Sequence, residues 1–285
     1  MTGSWWRIPC ALMAWCPVVL AGEVTTSTRS VPLDDAKSVL VQIDFGVGEI
    51  DLGKSAEGQL LEAAFTSDME DVEARVDYRR RGERGLLDLS TDYEEGRLPH
   101  DFKNEWDVGL AGNVPLELEL DLGAAEGRFD LTDLAITRLE LEVGAAECEV
   151  WWNRLNAERL SEIKVDAGAS SLSMEGLGFA QFDHLRFEGG LGSFELDFSG
   201  DWQRSAEADL EIGLGTLILW VPQDIGVRLV TEKALASVHV DRRFDSRGEG
   251  IYESDNYADA AIKLDCYVQV GMGSLEVKTK EPAAP

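Results

Sequence analysis

Apolar and polar residues alternate with period two along most of this chain. In "PLELELDL" (115–122) leucines take every second place and carboxylates the places between; "RLELEV" (138–143) repeats the pattern. A period of two puts one apolar face on an extended backbone, so these segments predict β-strands with one buried side. Long stretches of helical periodicity do not interrupt them.

The alternating segments share a centre of small residues. They read "IDFGVGEIDL" (43–52), "LDLGAAEGRFDL" (120–131), "LEVGAAECEV" (141–150), "VDAGASSLSM" (165–174), "FEGGLGSFEL" (187–196), "LEIGLGTLIL" (210–219) and "VQVGMGSLEV" (268–277), with a degenerate copy, "TEKALASVHV", at 231–240. The first small position holds Gly46, Gly123, Gly144, Gly168, Gly190, Gly213, Ala234 and Gly271; from Gly123 to Ala234 the steps are 21, 24, 22, 23 and 21 residues. A fixed period in this range is the signature of a repeat architecture. The second position holds Gly48, Ala125, Ala146, Ser170, Gly192, Gly215, Ala236 and Gly273. Its tolerance of Ala and Ser implies that size, more than a positive φ, sets these turns, as expected where turns stack closely from coil to coil. Four residues after the first small position, Ile50, Cys148, Leu172, Phe194, Leu217, Val238 and Leu275 share one register and predict a single inward column.

The expected fold is therefore all-β, a β-solenoid of coils of about 22 residues with capping hairpins. A phosphate-binding loop is excluded. No copy reads G-x-G-x-x-G, no G-K-[ST] follows, and the residues beyond each glycine pair continue as strand where a helix N-terminus would be needed. A leucine-rich repeat is the close competitor, and the β-solenoid is preferred to it because the Asn or Cys ladder after its strand is missing. The organisation reads as a signal peptide at 1–21, a linker at 22–33, an N-terminal hairpin and cap region at 34–113 with a polar loop around "TDYEEGRLPHDFKNEWDVGL", the repeats at 114–278, and a disordered tail at 279–285. A polar hairpin-like insertion, "DRRFDSRGEGIYESDNYADAAIK", interrupts the repeats before the last copy.

Composition narrows the partners. The chain has 285 residues with 26 Lys+Arg and 54 Asp+Glu, a formal charge of −28. That balance excludes nucleic acid, which rewards basic surfaces. "MTGSWWRIPCALMAWCPVVLAGEV" places Arg7 before an apolar run and small residues at 19 and 21, the layout of a secretory signal cleaved after Ala21, which leaves no transmembrane segment. Export would leave Cys148 and Cys266; they could pair, but both sit in alternating strands, where a free Cys acts as a small buried hydrophobe.

The segments "NEWDVGLAGNVPLELELDLGAAEGRFDLTDLAITRLELEVGAAECEV" (104–150), "VPQDIGVRLV" (221–230) and "IYESDNYADAAIKLDCYVQVGMGSLEV" (251–277) closely resemble bacterial toast-rack domains, over about residues 35–278. Such domains occur in LiaF-like cell-wall-active antibiotic response proteins, in PspC-like envelope-stress proteins and in candidate adhesins. The resemblance implies a β-solenoid at the cell envelope, periplasmic or on the cell surface, that acts by interaction with an envelope protein or cell-wall component, often beside stress-response machinery. It supplies no catalytic residue and no cofactor. The chain departs from the LiaF-like pattern in having a signal peptide and no multi-helix membrane region, and in the loss of both glycines at 234 and 236.

Candidate chemistry is sparse. His100, His184 and His239 lack metal spacing, and no G-x-S-x-G turn accompanies them. Glu117, Glu119, Asp121, Glu140 and Glu142 fall on an outward strand face and form a candidate binding surface; paired carboxylates there could also serve a polysaccharide-cleaving β-helix or hold a divalent cation weakly. Of the adjacent Trp151 and Trp152 one must point outward if the strand continues, where it could stack on a sugar or a partner. The function these features predict is a non-enzymatic exported scaffold, with an adhesin or polysaccharide-directed β-helix as the alternative.

Overall fold

A computed structural model describes residues 24–68, 72–93 and 102–281. The expected signal peptide, His100 and residues 282–285 lie outside them. Among these residues the chain is almost entirely strand, with a single helical turn, Leu177–Ala180. The strands are β1 (Thr25–Pro32), β2 (Ser38–Lys54), β3 (Gln59–Ser67), β4 (Val72–Arg81), β5 (Arg84–Tyr93), β6 (Asn104–Leu110), β7 (Pro115–Asp130) and β8 (Ala135–Val143). They continue with β9 (Glu147–Trp151), β10 (Leu160–Glu175), β11 (Phe182–Asp197), β12 (Ala206–Pro222), β13 (Gly226–Val240), β14 (Phe244–Gly248), β15 (Ile251–Ser254) and β16 (Lys263–Lys280).

One hydrogen-bonded path joins them in the order β1-β3-β6-β2-β7-β8-β10-β11-β12-β16-β13-β15-β14. From β2 to β13 every neighbouring pair is parallel. Asp121 opposes Glu142, Glu142 opposes Asp166, Asp166 opposes Glu188 and Glu188 opposes Glu211, so the ladder register follows the spacing of the small-residue copies.

The small residues act as bends inside long strands, except in the copy at 141–150, where Gly144–Ala146 separate β8 from β9. In β7, Leu122 is buried, Gly123 and Ala124 are both exposed, and Ala125 is buried. Two consecutive outward residues reset the alternation, so the arm before the bend and the arm after it face the same core. Close approach enforces the first position: a Cβ on Gly168 or Gly190 would lie 2.8 Å from the carbonyl oxygen of the glycine one rung below. The second position is not governed by size alone. Gly48, Gly192, Gly215 and Gly273 have positive φ, while among the described residues only Asp133 and Gln181 do so without being glycine. Ala125, Ala146 and Ser170 therefore bend the strand with ordinary backbone angles, and the glycine copies bend it differently.

The inward column forms as the register requires. Ile50, Cys148, Leu172, Phe194, Leu217 and Leu275 are at most 2% exposed, and Val238 at the end of the ladder is half-buried. In the copy at 120–131 the column position is Gly127, and the ring of Phe129 with the side chain of Leu122 occupies its room. Each such Leu or Phe contributes about 1.5–3 kcal/mol by leaving water. Cys148 and Cys266 are buried free thiols; burial pushes Cys148 up to about 12 and Cys266 further in the same direction.

The last two copies exchange places. β16, last in sequence, lies between β12 and β13, and the degenerate copy forms the end of the ladder. β16 sits close on β12: a Cβ on Gly271 would be 2.6 Å from the Gly213 carbonyl oxygen and one on Gly273 would land on that of Gly215, so this rung depends on its glycines. The segments that carry the family resemblance meet at this end. Asn256 donates its Nδ2 to the carbonyls of Gln223 and Ile225, and its Oδ1 accepts from Ser254, whose Oγ accepts the Val227 amide. Tyr257 donates its hydroxyl to Asp265 at 2.8 Å. "SDNY" thus pins "VPQDIGV" to the last strand.

Three boundaries differ from the sequence reading. Residues 25–32, expected as linker, form β1 antiparallel to β3; "TTSTRSVP" is almost wholly exposed and rests on backbone pairing, so no apolar alternation announces it. "NEWDVGL", expected as part of a loop, is β6, with Trp106 packed edge-on against Phe45 and Phe65. The expected tail begins as strand, and Lys280 reaches Asp197 at 2.5 Å.

Candidate acidic groove

Two residues before each bend the outward position is acidic. Parallel pairing in register sets these residues side by side: Asp44, Asp121, Glu142, Asp166, Glu188 and Glu211 form one file across six strands. Gln269 and Glu232 continue it onto β16 and β13. Neighbouring rungs stand about 4.8 Å apart, so the file is a row of like charges at strand spacing. From Asp121 to Glu211 it walls a groove of about 590 Å³ that runs along the bend, floored by the backbone of Gly123, Gly144, Gly168, Gly190 and Gly213. A second hollow of about 370 Å³ gathers Asp44, Asp88, Glu119, Asp121, Glu140 and Glu142 at the N-terminal end.

A parallel file, two residues earlier in each strand, is mixed. It runs Asp88, Gln42, Glu119, Glu140, Lys164, Arg186 and Asp209. Gln42 donates to Glu119 at 2.7 Å. Lys164 bridges Glu140 at 2.8 Å and Asp166 at 3.0 Å, and hydrogen bonds to both hold its ammonium well above the usual lysine range. Arg186 pairs with Glu188. These cations neutralise the middle of the groove and leave its N-terminal end acidic. There, partial burial first, then Asp121 and Asp88, push the Asp44 carboxyl up from its ordinary value.

Of the residues singled out from sequence, Glu119, Asp121, Glu140 and Glu142 meet in the N-terminal hollow. Glu117 stands one row further out, where Arg84 bridges it at 2.8 Å. The two tryptophans do not join the acids. Trp152 is 1% exposed and cannot serve as a contact surface; its amide donates to the Glu175 carbonyl just past the end of β9, where the chain turns into the core. Trp151 is half-buried at the end of β9, beside Glu175. No aromatic side chain lines either hollow among the described residues, and no group of three or more His, Cys, Asp or Glu among them is arranged to hold a metal. Asp44, Asp88, Asp166, Glu188 and Glu211 were not singled out from sequence. The signal was present, since the second residue before each first small position is Asp, Glu or Gln in every copy.

A family model described as the N-terminal domain of toast_rack, DUF2154, matches residues 20–158 and again 149–219. The chain belongs to the toast-rack family. The solved structure of a candidate cell adhesion protein from Clostridium sporogenes is similar to this toast-rack chain with a TM-score of 0.50 and 20% identity, covering 90% of this chain and 100% of that one. A candidate adhesin from Bacteroides fragilis matches with a TM-score of 0.38 and 9% identity, over 89% of this chain and 97% of that one. No curated protein matches. Among the described residues no helix of this toast-rack protein is long and apolar enough to cross a membrane.

Proposed function

We propose that this toast-rack protein is an exported, non-enzymatic interaction module of the bacterial envelope, a β-solenoid of coils of about 22 residues that binds an envelope protein or cell-wall component along its acidic groove. The single observation that carries the reading is the file of six carboxylates in register, five of them above a glycine floor. A file at strand spacing presents charge with a fixed repeat, and the bare glycine backbone lets an extended ligand approach closely. It suits a partner that brings several amines or guanidiniums in a row, because each would relieve the repulsion between neighbouring acids. The Clostridium sporogenes structure is that of a candidate cell adhesion protein, which accords with binding at a surface and supports the reading of this chain as periplasmic or on the cell surface.

The test is cross-linking capture from envelope fractions, comparing the native chain with Asp121→Asn/Glu142→Gln/Asp166→Asn/Glu188→Gln. Capture of a discrete protein or glycan that fails with the variant, and that weakens as salt rises, is the expected result. Capture that is equal for both chains removes the groove from the function. Cleavage of a captured glycan, lost in the variant, would replace binding with polysaccharide hydrolysis as the activity.

A further inference from the structure

Of the seven large apolar side chains exposed among the described residues, five lie on one part of one face, the outer side of β11, β12, β16 and β13. Four of them share a rung position. Leu191 opposes Leu214, Leu214 opposes Met272 and Met272 opposes Leu235, so they form a ridge that crosses four strands in register, 46–72% exposed. From Glu232 to Val240, β13 pairs with β16 alone among the described residues, so Leu235 ends the ridge at an open rung. In the earlier copies the same position, between the two small residues, holds Val47, Ala124, Ala145 and Ala169. The bend therefore does not require a large side chain there, and leucines set side by side in water mark an interaction surface.

The ridge has unlike flanks. On the groove side, three residues earlier in each strand, stand Glu188, Glu211, Gln269 and Glu232; on the other side, two residues later, stand Ser193, Thr216, Ser274 and Ser237. Glu188 is paired with Arg186, whereas Glu211 and Glu232 have no ion-pair partner among the described residues. Lys233, opposite the buried Val270, belongs to the inward set of β13 and not to this face. Leu191 and Leu214 directly follow Gly190 and Gly213, whose backbone floors the groove, so acid row, bare floor and apolar ridge lie side by side.

This arrangement selects among occupants. Rungs repeat at about 4.8 Å, close to the roughly 5.4 Å turn of an α-helix, so a helix laid along the ridge offers about one apolar side chain per rung. An extended chain repeats its same-side residues only every 6.8 Å or so and falls out of step. The acid row asks for cations beside the apolar stripe. A second copy brings another ridge, but with it a formal charge of −28 and the same acids. An anionic lipid surface is repelled by that row.

We propose that the ridge of Leu191, Leu214, Met272 and Leu235 docks a cationic amphipathic helix of a partner protein, its apolar stripe on the ridge and its lysines or arginines on Glu211 and Glu232. The proposal rests on the reading of the groove as a binding surface and names the partner held at its C-terminal end.

Calorimetric titration of the full chain with a peptide of leucine and lysine alone, patterned LKKLLKLLKKLLKL, tests it. The peptide is expected to bind and to gain helical circular dichroism, while the alternating peptide LKLKLKLKLKLKLK and oligolysine bind about tenfold more weakly or worse. Leu214→Ser/Met272→Ser, at exposed positions, should weaken binding by about tenfold with the urea midpoint unchanged, and Leu235→Ser should weaken it by about threefold. Glu211→Gln/Glu232→Gln should weaken it at low salt and flatten its salt dependence. Asp121→Asn/Glu142→Gln, at the far end of the groove, should leave it within about twofold of native. Equal binding by native and ridge variants, or binding of oligolysine or the alternating peptide as tight as that of the helical one, overturns the proposal. Binding lost in Asp121→Asn/Glu142→Gln but kept in the ridge variants also overturns it and leaves the groove reading standing. Failure of the groove reading shows separately, as envelope capture indifferent to the four groove carboxylates while ridge-dependent peptide binding persists. Ridge-dependent binding of phosphatidylcholine vesicles without binding of the peptide overturns the proposal by replacing the helix with a lipid surface.

Discussion

At Gly273 two constraints coincide: φ is +132°, and a Cβ would land on the Gly215 carbonyl oxygen of the neighbouring rung. Relief of either one requires moving backbone, because the obstacle is a carbonyl held in the ladder and not the end of a flexible side chain. Gly273→Ala should therefore destabilise the chain by about 3 kcal/mol or more, read as a fall in the urea midpoint. Gly53→Ala, where a Cβ meets nothing within 4 Å and φ is not positive, should stay within about 1 kcal/mol of the native chain. The small residues themselves were legible in sequence; the two kinds of bend they form were not. Ala, Ser and Gly at one aligned position suggested a limit on size, whereas the glycine copies use a backbone angle that the alanine copies avoid. Composition reports which side chains are tolerated, and only the backbone reports why.

The hairpin β14–β15 and the loop after it show how an element with little apolar content is held. Beyond the pairing of β15 with β13 and the packing of Phe244 and Tyr252 on the core, its ties to the ladder are polar and specific: Asn256 to the carbonyls of residues 223 and 225, Ser254 to the Val227 amide, Tyr257 to Asp265. Asn256→Ala strands both carbonyls and removes the partner of Ser254, so it should cost about 1–3 kcal/mol. Hydrogen exchange should locate the loss at residues 223–230 and leave the ladder from β7 to β12 protected. As elements, the strands carrying small-residue copies could be read directly, because alternation and bend are both local. β1 and β6 could not. One is a polar strand whose stability lies in pairing with β3, and the other is a short strand inside a polar stretch whose Trp106 finds its pocket only after β2 and β3 are in place.

The charge of −28 becomes, once folded, files of carboxylates at rung spacing, and Asp44, raised first by partial burial, is raised further by Asp121 and Asp88. Because the repulsion acts between exposed groups, salt screens it. The melting temperature should rise from low to moderate NaCl concentration, and the rise should shrink in Asp121→Asn/Glu142→Gln; a melting temperature indifferent to salt would show that Lys164 and Arg186 already balance the face. Sequence by itself determined the all-β class, the inward column and the acidic outer face, since each follows from a period of two and a recurrent pair of small residues, both enforced by local sterics. Only the tertiary structure decided the rest. The exchange of β16 and β13, the burial of Trp152, the gathering of Asp44 and Asp88 with Asp121 and Glu142, and the open edge at Glu232–Val240 depend on which strands become neighbours. That choice is made by carbonyl contacts and hydrogen bonds between residues tens of positions apart, which no local pattern encodes.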